Sequence, residues 1–158
     1  MKFESRSQRF GWVCFLCYLA CLSYLVFFAE MFGRTGREEA AYSYNLVLFR
    51  EIRRFWVYRR QLGFMAVFMN LAGNVIWFLP FGFFLPLISR RGEKWYCTIL
   101  LGAGFSLFIE LVQLVTKVGS FDVDDILLNT IGVILGYVSF GAAQKISRQQ
   151  QKKRRWRL

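Results

Sequence analysis

The chain has 158 residues, 56% of them apolar and 19% aromatic, with 21 Lys and Arg against 10 Asp and Glu and no histidine. Soluble domains are roughly 45–50% apolar, so the excess here calls for lipid to cover it, and the length allows one domain. Lack of histidine excludes Ser–His–Asp and Cys–His–Asn catalysis and His-ligated zinc, while the net charge of +11 points to anionic partners.

A helix needs roughly 20 mostly apolar residues to cross a hydrocarbon core of about 30 Å, and four stretches qualify: residues 10–29, 64–88, 95–116 and 126–143. They lack the period-2 alternation of barrel strands. The predicted fold is therefore all-α, an integral membrane four-helix bundle over residues 10–143. A cytoplasmic N-terminus (1–9) precedes it and a basic cytoplasmic tail (144–158) follows. Lys2, Arg6 and Arg9 before the first stretch resemble a signal-peptide n-region. Its apolar run is too long for an h-region and no small-x-small site follows before Glu30, so a retained anchor is expected. Cys14, Cys17 and Cys21 form a stripe on this helix and Cys97 begins the third; with no companion ligand, all four are expected to pack in helix or face lipid.

Between the first two stretches, Leu46, Phe49, Ile52 and Trp56 recur at spacings of three and four while Arg50, Arg53, Arg54 and Arg60 occupy much of the other face. This pattern predicts an interfacial amphipathic helix over residues 44–60, its guanidinium groups on lipid phosphates; a solvated loop with snorkelling arginines fits it too. Within the second stretch, Pro80 and Pro86 are expected to bend or end the helix.

Counting Lys and Arg, both termini in the cytoplasm leave 13 inside and 8 outside, which favours a multi-pass cell-membrane protein with both ends inside. The arginine-rich first loop supplies most of the outer charge. Six basic residues between Arg148 and Arg157 form a polybasic segment expected near anionic headgroups rather than on nucleic acid.

Polar residues inside the apolar stretches are costly and tend to have partners or roles. Asn70 and Asn74, Glu110 and Gln113, and Asp125 and Asn129 are pairs at i,i+4 or i,i+3, so each pair shares a helix face. Together with Asp122 and Asp124 they are expected to converge on the leaflet next to the first loop. Small residues suit close helix approach: Gly102 and Ser106 lie on a stripe with Glu110, and Gly132 and Gly136 on one with Asn129. Two interpretations stand: a hydrogen-bonded latch between helices, or a ligand site. Helix capping accounts for one or two of the aspartates. No Walker loop, Rossmann fingerprint, nucleophile elbow or internal repeat occurs.

The order of motifs resembles the VanZ-like family of small bacterial membrane proteins. The matching stretches are Asn45-Leu46-Val47-Leu48-Phe49-Arg50-Glu51-Ile52, Asn70-Leu71-Ala72-Gly73-Asn74 through Phe78-Leu79-Pro80-Phe81-Gly82, Glu110-Leu111-Val112-Gln113, and Gly119-Ser120-Phe121-Asp122-Val123-Asp124-Asp125-Ile126 through Gly132. Leu48 stands where family members often have proline, and Gly119-Ser120 where many carry an arginine. The resemblance implies four membrane helices and a link to low-level resistance to teicoplanin-type lipoglycopeptides, with no settled catalytic mechanism. The expected function is non-enzymatic binding or shielding of a lipid or peptidoglycan-precursor headgroup, with membrane lipids as partners, Arg50, Arg53 and Arg54 on its phosphates, and no cofactor. Two alternatives remain open: an enzyme acting on a polyprenyl or phospholipid headgroup with Mg²⁺ held by Glu110, Asp122 and Asp125, and a proton- or ion-coupled carrier using Glu110.

Overall fold

A computed structural model describes residues 6–25, 44–117 and 119–155. The elements in chain order are α1 (Arg6–Tyr24), β1 (Tyr44–Asn45), α2 (Arg50–Val57), α3 (Arg59–Leu62), α4 (Phe64–Ile88), α5 (Trp95–Thr116), β2 (Phe121–Asp122) and α6 (Val123–Arg155). Among the described residues, three helices are long and apolar enough to cross a membrane: Asn70–Ile88, Trp95–Thr116 and Val123–Lys153. Helix α1 packs against α4; the remainder of the first apolar stretch, residues 26–29, lies outside the described residues.

The most extensive interhelical contact is between α4 and α6, and glycine permits it. A Cβ on Gly136 would stand 2.0 Å from the Leu79 carbonyl oxygen, one on Gly132 2.2 Å from that of Val75, and one on Gly82 2.0 Å from that of Val133. The two helices thus run in parallel with their backbones touching, as small-residue stripes allow where lipid supplies no hydrophobic drive. Gly102 on α5 is filled from the opposite side by the fully buried Val133. Aromatic packing completes the core: Phe15 of α1 meets Phe81 edge-on, and Phe81 stacks on Phe105 at 5.4 Å between centroids.

Pro80 and Pro86 do not end α4; both lie inside one continuous helix. Each withholds one N–H from the helical ladder, and Gly82 and its neighbours remain helical between them. The first loop departs from one long amphipathic helix. Tyr44 and Asn45 instead pair in a two-residue parallel ladder with Phe121 and Asp122, and helix begins only at Arg50 after Phe49 in a left-handed conformation (φ 65°). Helix α6 continues past residue 143 without a break, carrying the basic tail on as helix to Arg155.

Candidate functional site

One face of α5 is polar where its neighbours are apolar. Thr98, Ser106, Glu110 and Gln113 are all buried, the first two completely. With the buried Gly102 between the first two, they recur at spacings of three and four and form a stripe facing the bundle. Opposite, Asn129 of α6 donates from Nδ2 to Ser106 Oγ at 2.8 Å, and its Oδ1 has no hydrogen-bond partner among the described residues although the residue is 4% exposed. Asn74 of α4 donates from Nδ2 to Asp125 Oδ1 at 2.6 Å. These side chains surround a cavity of about 220 Å³ whose polar lining is Asn74, Glu110, Gln113, Asp125 and Asn129. Its apolar wall includes Leu22 of α1, Trp77 and Phe78 of α4 and Ile109 of α5.

Asp122 and Asp124 point elsewhere, into the docked first loop. The Asp124 carboxylate, 1% exposed, accepts the backbone N–H of Phe49 on Oδ1 and those of Glu51 (2.8 Å) and Ile52 (3.3 Å) on Oδ2. A helix start leaves its first N–H groups without partners. Here Asp124, more than seventy residues away, plays the capping part for α2, since Phe49 offers no side-chain cap. Asp122 Oδ1 accepts from Asn45 Nδ2 at 3.0 Å and from the Asp124 N–H at 2.8 Å. Asn45 Oδ1 in turn accepts the Val47 N–H, an Asx turn that bends the chain toward α2. The Asp122 N–H donates to Glu110 Oε2 at 2.9 Å, so the carboxyl lining the cavity also tethers the segment that holds the loop. Loop, helix mouth and cavity form one hydrogen-bonded chain.

Burial raises the Asp122 carboxyl above the usual carboxylate range, partly offset by its hydrogen bonds from the Asp124 N–H and Asn45. Glu51 is likewise raised by burial, with the Arg54 guanidinium 2.7 Å away working against the shift.

Of the sequence-derived candidates, Asn74, Glu110, Gln113, Asp125 and Asn129 thus meet around one cavity, and Asp122 and Asp124 adjoin it through the loop. Asn70 is exposed and contributes nothing to the cavity. Arg50, Arg53 and Arg54 are exposed on α2, beside the buried Phe55. Asn45 was not singled out by charge or depth; its signal is an Asx residue two positions before a bend. Cys14, Cys17, Cys21 and Cys97 are free thiols, the middle two exposed on α1. Among the described residues, no three His, Cys, Asp or Glu side chains are grouped as metal ligands.

A sequence model of the family described as VanZ/LLP1 matches residues 15–144. Among curated proteins, "Protein VanZ" of Enterococcus faecium is 30% identical over 87 residues, covering 53% of this chain and 52% of that protein. The match thus spans about half the length of that relative. No solved structure matches the chain.

Proposed function

The chain belongs to the VanZ/LLP1 family, and from that premise we propose that it is a multi-pass protein of the bacterial cell membrane, both termini cytoplasmic, that binds a lipid or peptidoglycan-precursor headgroup and so contributes to resistance to teicoplanin-type lipoglycopeptides. The observation that carries this reading is the cavity lined by Asn74, Glu110, Gln113, Asp125 and Asn129 amid helices otherwise covered by apolar side chains. Polar groups at such a depth are expensive unless they meet a partner or a ligand. The excess of Lys and Arg at the ends supports the orientation, with the cavity toward the outer leaflet.

On this reading the first loop lies along the outer interface. The exposed side chains of Tyr44, Leu46, Val47, Leu48 and Phe49 enter the headgroup boundary, while Arg50, Arg53 and Arg54 contact lipid phosphates. The test is drug susceptibility in a host expressing the full chain. Glu110→Gln and Asp125→Asn, at wild-type protein level, should lower teicoplanin tolerance toward that of cells lacking the protein. Unchanged tolerance in both would return the polar cluster to the role of a latch between helices.

A further inference from the structure

At the end of the bundle away from the first loop, we propose a second site: a pocket at the membrane boundary that holds one anionic phospholipid, an acyl chain inside and the phosphate on Arg148. A cavity of about 360 Å³ opens there between α1, α4 and α6. Phe83, Pro86 and Leu87 of α4 and Phe140 and Ala143 of α6 form its apolar floor and walls, with Phe83 edge-on to Phe140 at 6.1 Å between ring centroids. Its mouth is polar, made by Gln8 of α1, Glu93 of the turn after α4, and Gln144 and Ser147 of α6. A few hundred Å³ with mostly apolar walls and a few polar groups is the usual form of a site for a small organic ligand. The opening has a cause in the sequence. The glycine contact of α4 with α6 reaches as far as Gly136; one turn on, the same face of α6 carries Phe140, whose ring is too large for the backbones to stay in touch.

The level of the cavity points to its occupant. Three apolar runs give way to polar sequence at the mouth: Gln8 stands before the first, Ser89 follows the second and Gln144 the last. With α4 and α6 read as membrane helices, the floor lies in hydrocarbon and the mouth among headgroups, whichever side faces the cytoplasm. A molecule apolar at one end and polar at the other fits that gradient. Charge selects among such molecules. Residues 140, 143, 144 and 147 share one face of α6, and the next position on that stripe is Arg148, exposed one turn beyond Gln144. Helical side chains lean toward the N-terminus of their helix, which directs this guanidinium back over the mouth, where two parallel hydrogen bonds to a phosphate suit its geometry. Gln144 and Ser147 add an amide and a hydroxyl donor. In the turn that supplies Glu93, the exposed Arg90, Arg91 and Lys94 outnumber that carboxylate.

The full chain, purified in detergent, would be offered phosphatidylglycerol and phosphatidylcholine with identical acyl chains, and the retained lipid read by native mass spectrometry. Recovery of the chain in the membrane fraction tests the premise separately. One phosphatidylglycerol should be retained about fivefold over phosphatidylcholine, the factor expected for one basic side chain at an anionic headgroup. Arg148→Gln should remove that preference. Ala143→Trp, which fills the cavity with an indole, should expel the lipid altogether, whereas Ala142→Trp, at an exposed neighbour outside the lining, should keep it and so report an intact fold. Phosphatidylglycerol retention that survives Ala143→Trp would assign the lipid to the charge of the tail alone and overturn the pocket. Equal loss with Ala142→Trp would overturn it too, as would a wild-type chain that retains no lipid because another segment of the chain fills the space, or one that holds both lipids equally.

Discussion

Replacing Asp124 with alanine should release the first loop while leaving the helices packed. The carboxylate receives three backbone N–H groups, from Phe49, Glu51 and Ile52, in a site almost closed to water. A hydrogen bond to a charged group contributes about 1.5–3 kcal/mol, and an N-cap truncation alone costs about 1 kcal/mol. The three donors share two oxygens and Phe49 is open enough for water to take over, so the combined loss is about 3–5 kcal/mol. That corresponds to an increase of about two to three and a half orders of magnitude in the opening equilibrium of residues 44–57. Asp124→Asn should be nearly as damaging, because its amide would turn a donor toward N–H groups on one side. The assay is amide hydrogen exchange in detergent. Protection at Glu51 and Ile52 should collapse, whereas amides in α5 should keep theirs. Protection at Glu51 and Ile52 equal to wild type would refute the view that this one side chain seats the loop.

Packing of α4 against α6 can be probed by Gly136→Ala: its methyl would stand 2.0 Å from the Leu79 carbonyl oxygen, so the helices must part and stability in detergent should fall by about 1–3 kcal/mol. Gly104→Ala, with nothing within 4 Å, should be neutral or stabilise by up to about 1 kcal/mol through helix propensity. Equal losses for the two would contradict backbone contact as the basis of packing. The raised carboxyls give a pH dependence. With Asp122 and Glu51 above their unfolded values, the native state holds more protons than the unfolded one between the ordinary carboxylate range and the raised values. Stability of the docked loop therefore rises as pH falls through that interval and stays lower above it. Oδ1 of Asp122 accepts both of its hydrogen bonds, leaving Oδ2 to take the proton. Asp122→Asn should flatten the profile of exchange protection at Val47; an unchanged slope would contradict Asp122 as a source.

The helices were legible because they answer to a single local signal. The apolar runs at 64–88 and 95–116 coincide with α4 and α5, since the loops bounding them are polar. That α6 would approach a neighbour closely was legible in the spacing of Gly132 and Gly136 from Asn129; that the neighbour is α4 was not. What the sequence could not convey was direction. Asn70 and Asn74 look equivalent at i,i+4, yet four residues turn a helix about 40° past a full circle; Asn74 reaches Asp125 while Asn70 stays exposed. The three aspartates of residues 122–125 read as one acidic mouth. They divide because β2 gives way to helix among them, sending Asp122 and Asp124 toward the loop and Asp125 toward α4. The bond between Asp124 and α2 spans more than seventy residues, a separation that no periodicity reports. For the same reason the amphipathic pattern could not reveal that helix waits until Arg50, where a distant carboxylate takes the free N–H groups.

The unbroken course of α6 sets the reach of its charges. At 1.5 Å per residue, 33 residues make a rod of about 50 Å, some 20 Å longer than the hydrocarbon core. In the proposed membrane orientation, such a rod stands off the bilayer like a mast instead of lying along it. There Lys145 and Arg148 would sit near its foot, within headgroup distance, whereas Lys152 and Lys153 would be carried outward toward the limit of the roughly 8 Å screening length in physiological salt. Whatever they meet, the positive charges of the tail are held along one continuous helix and therefore stiffly spaced.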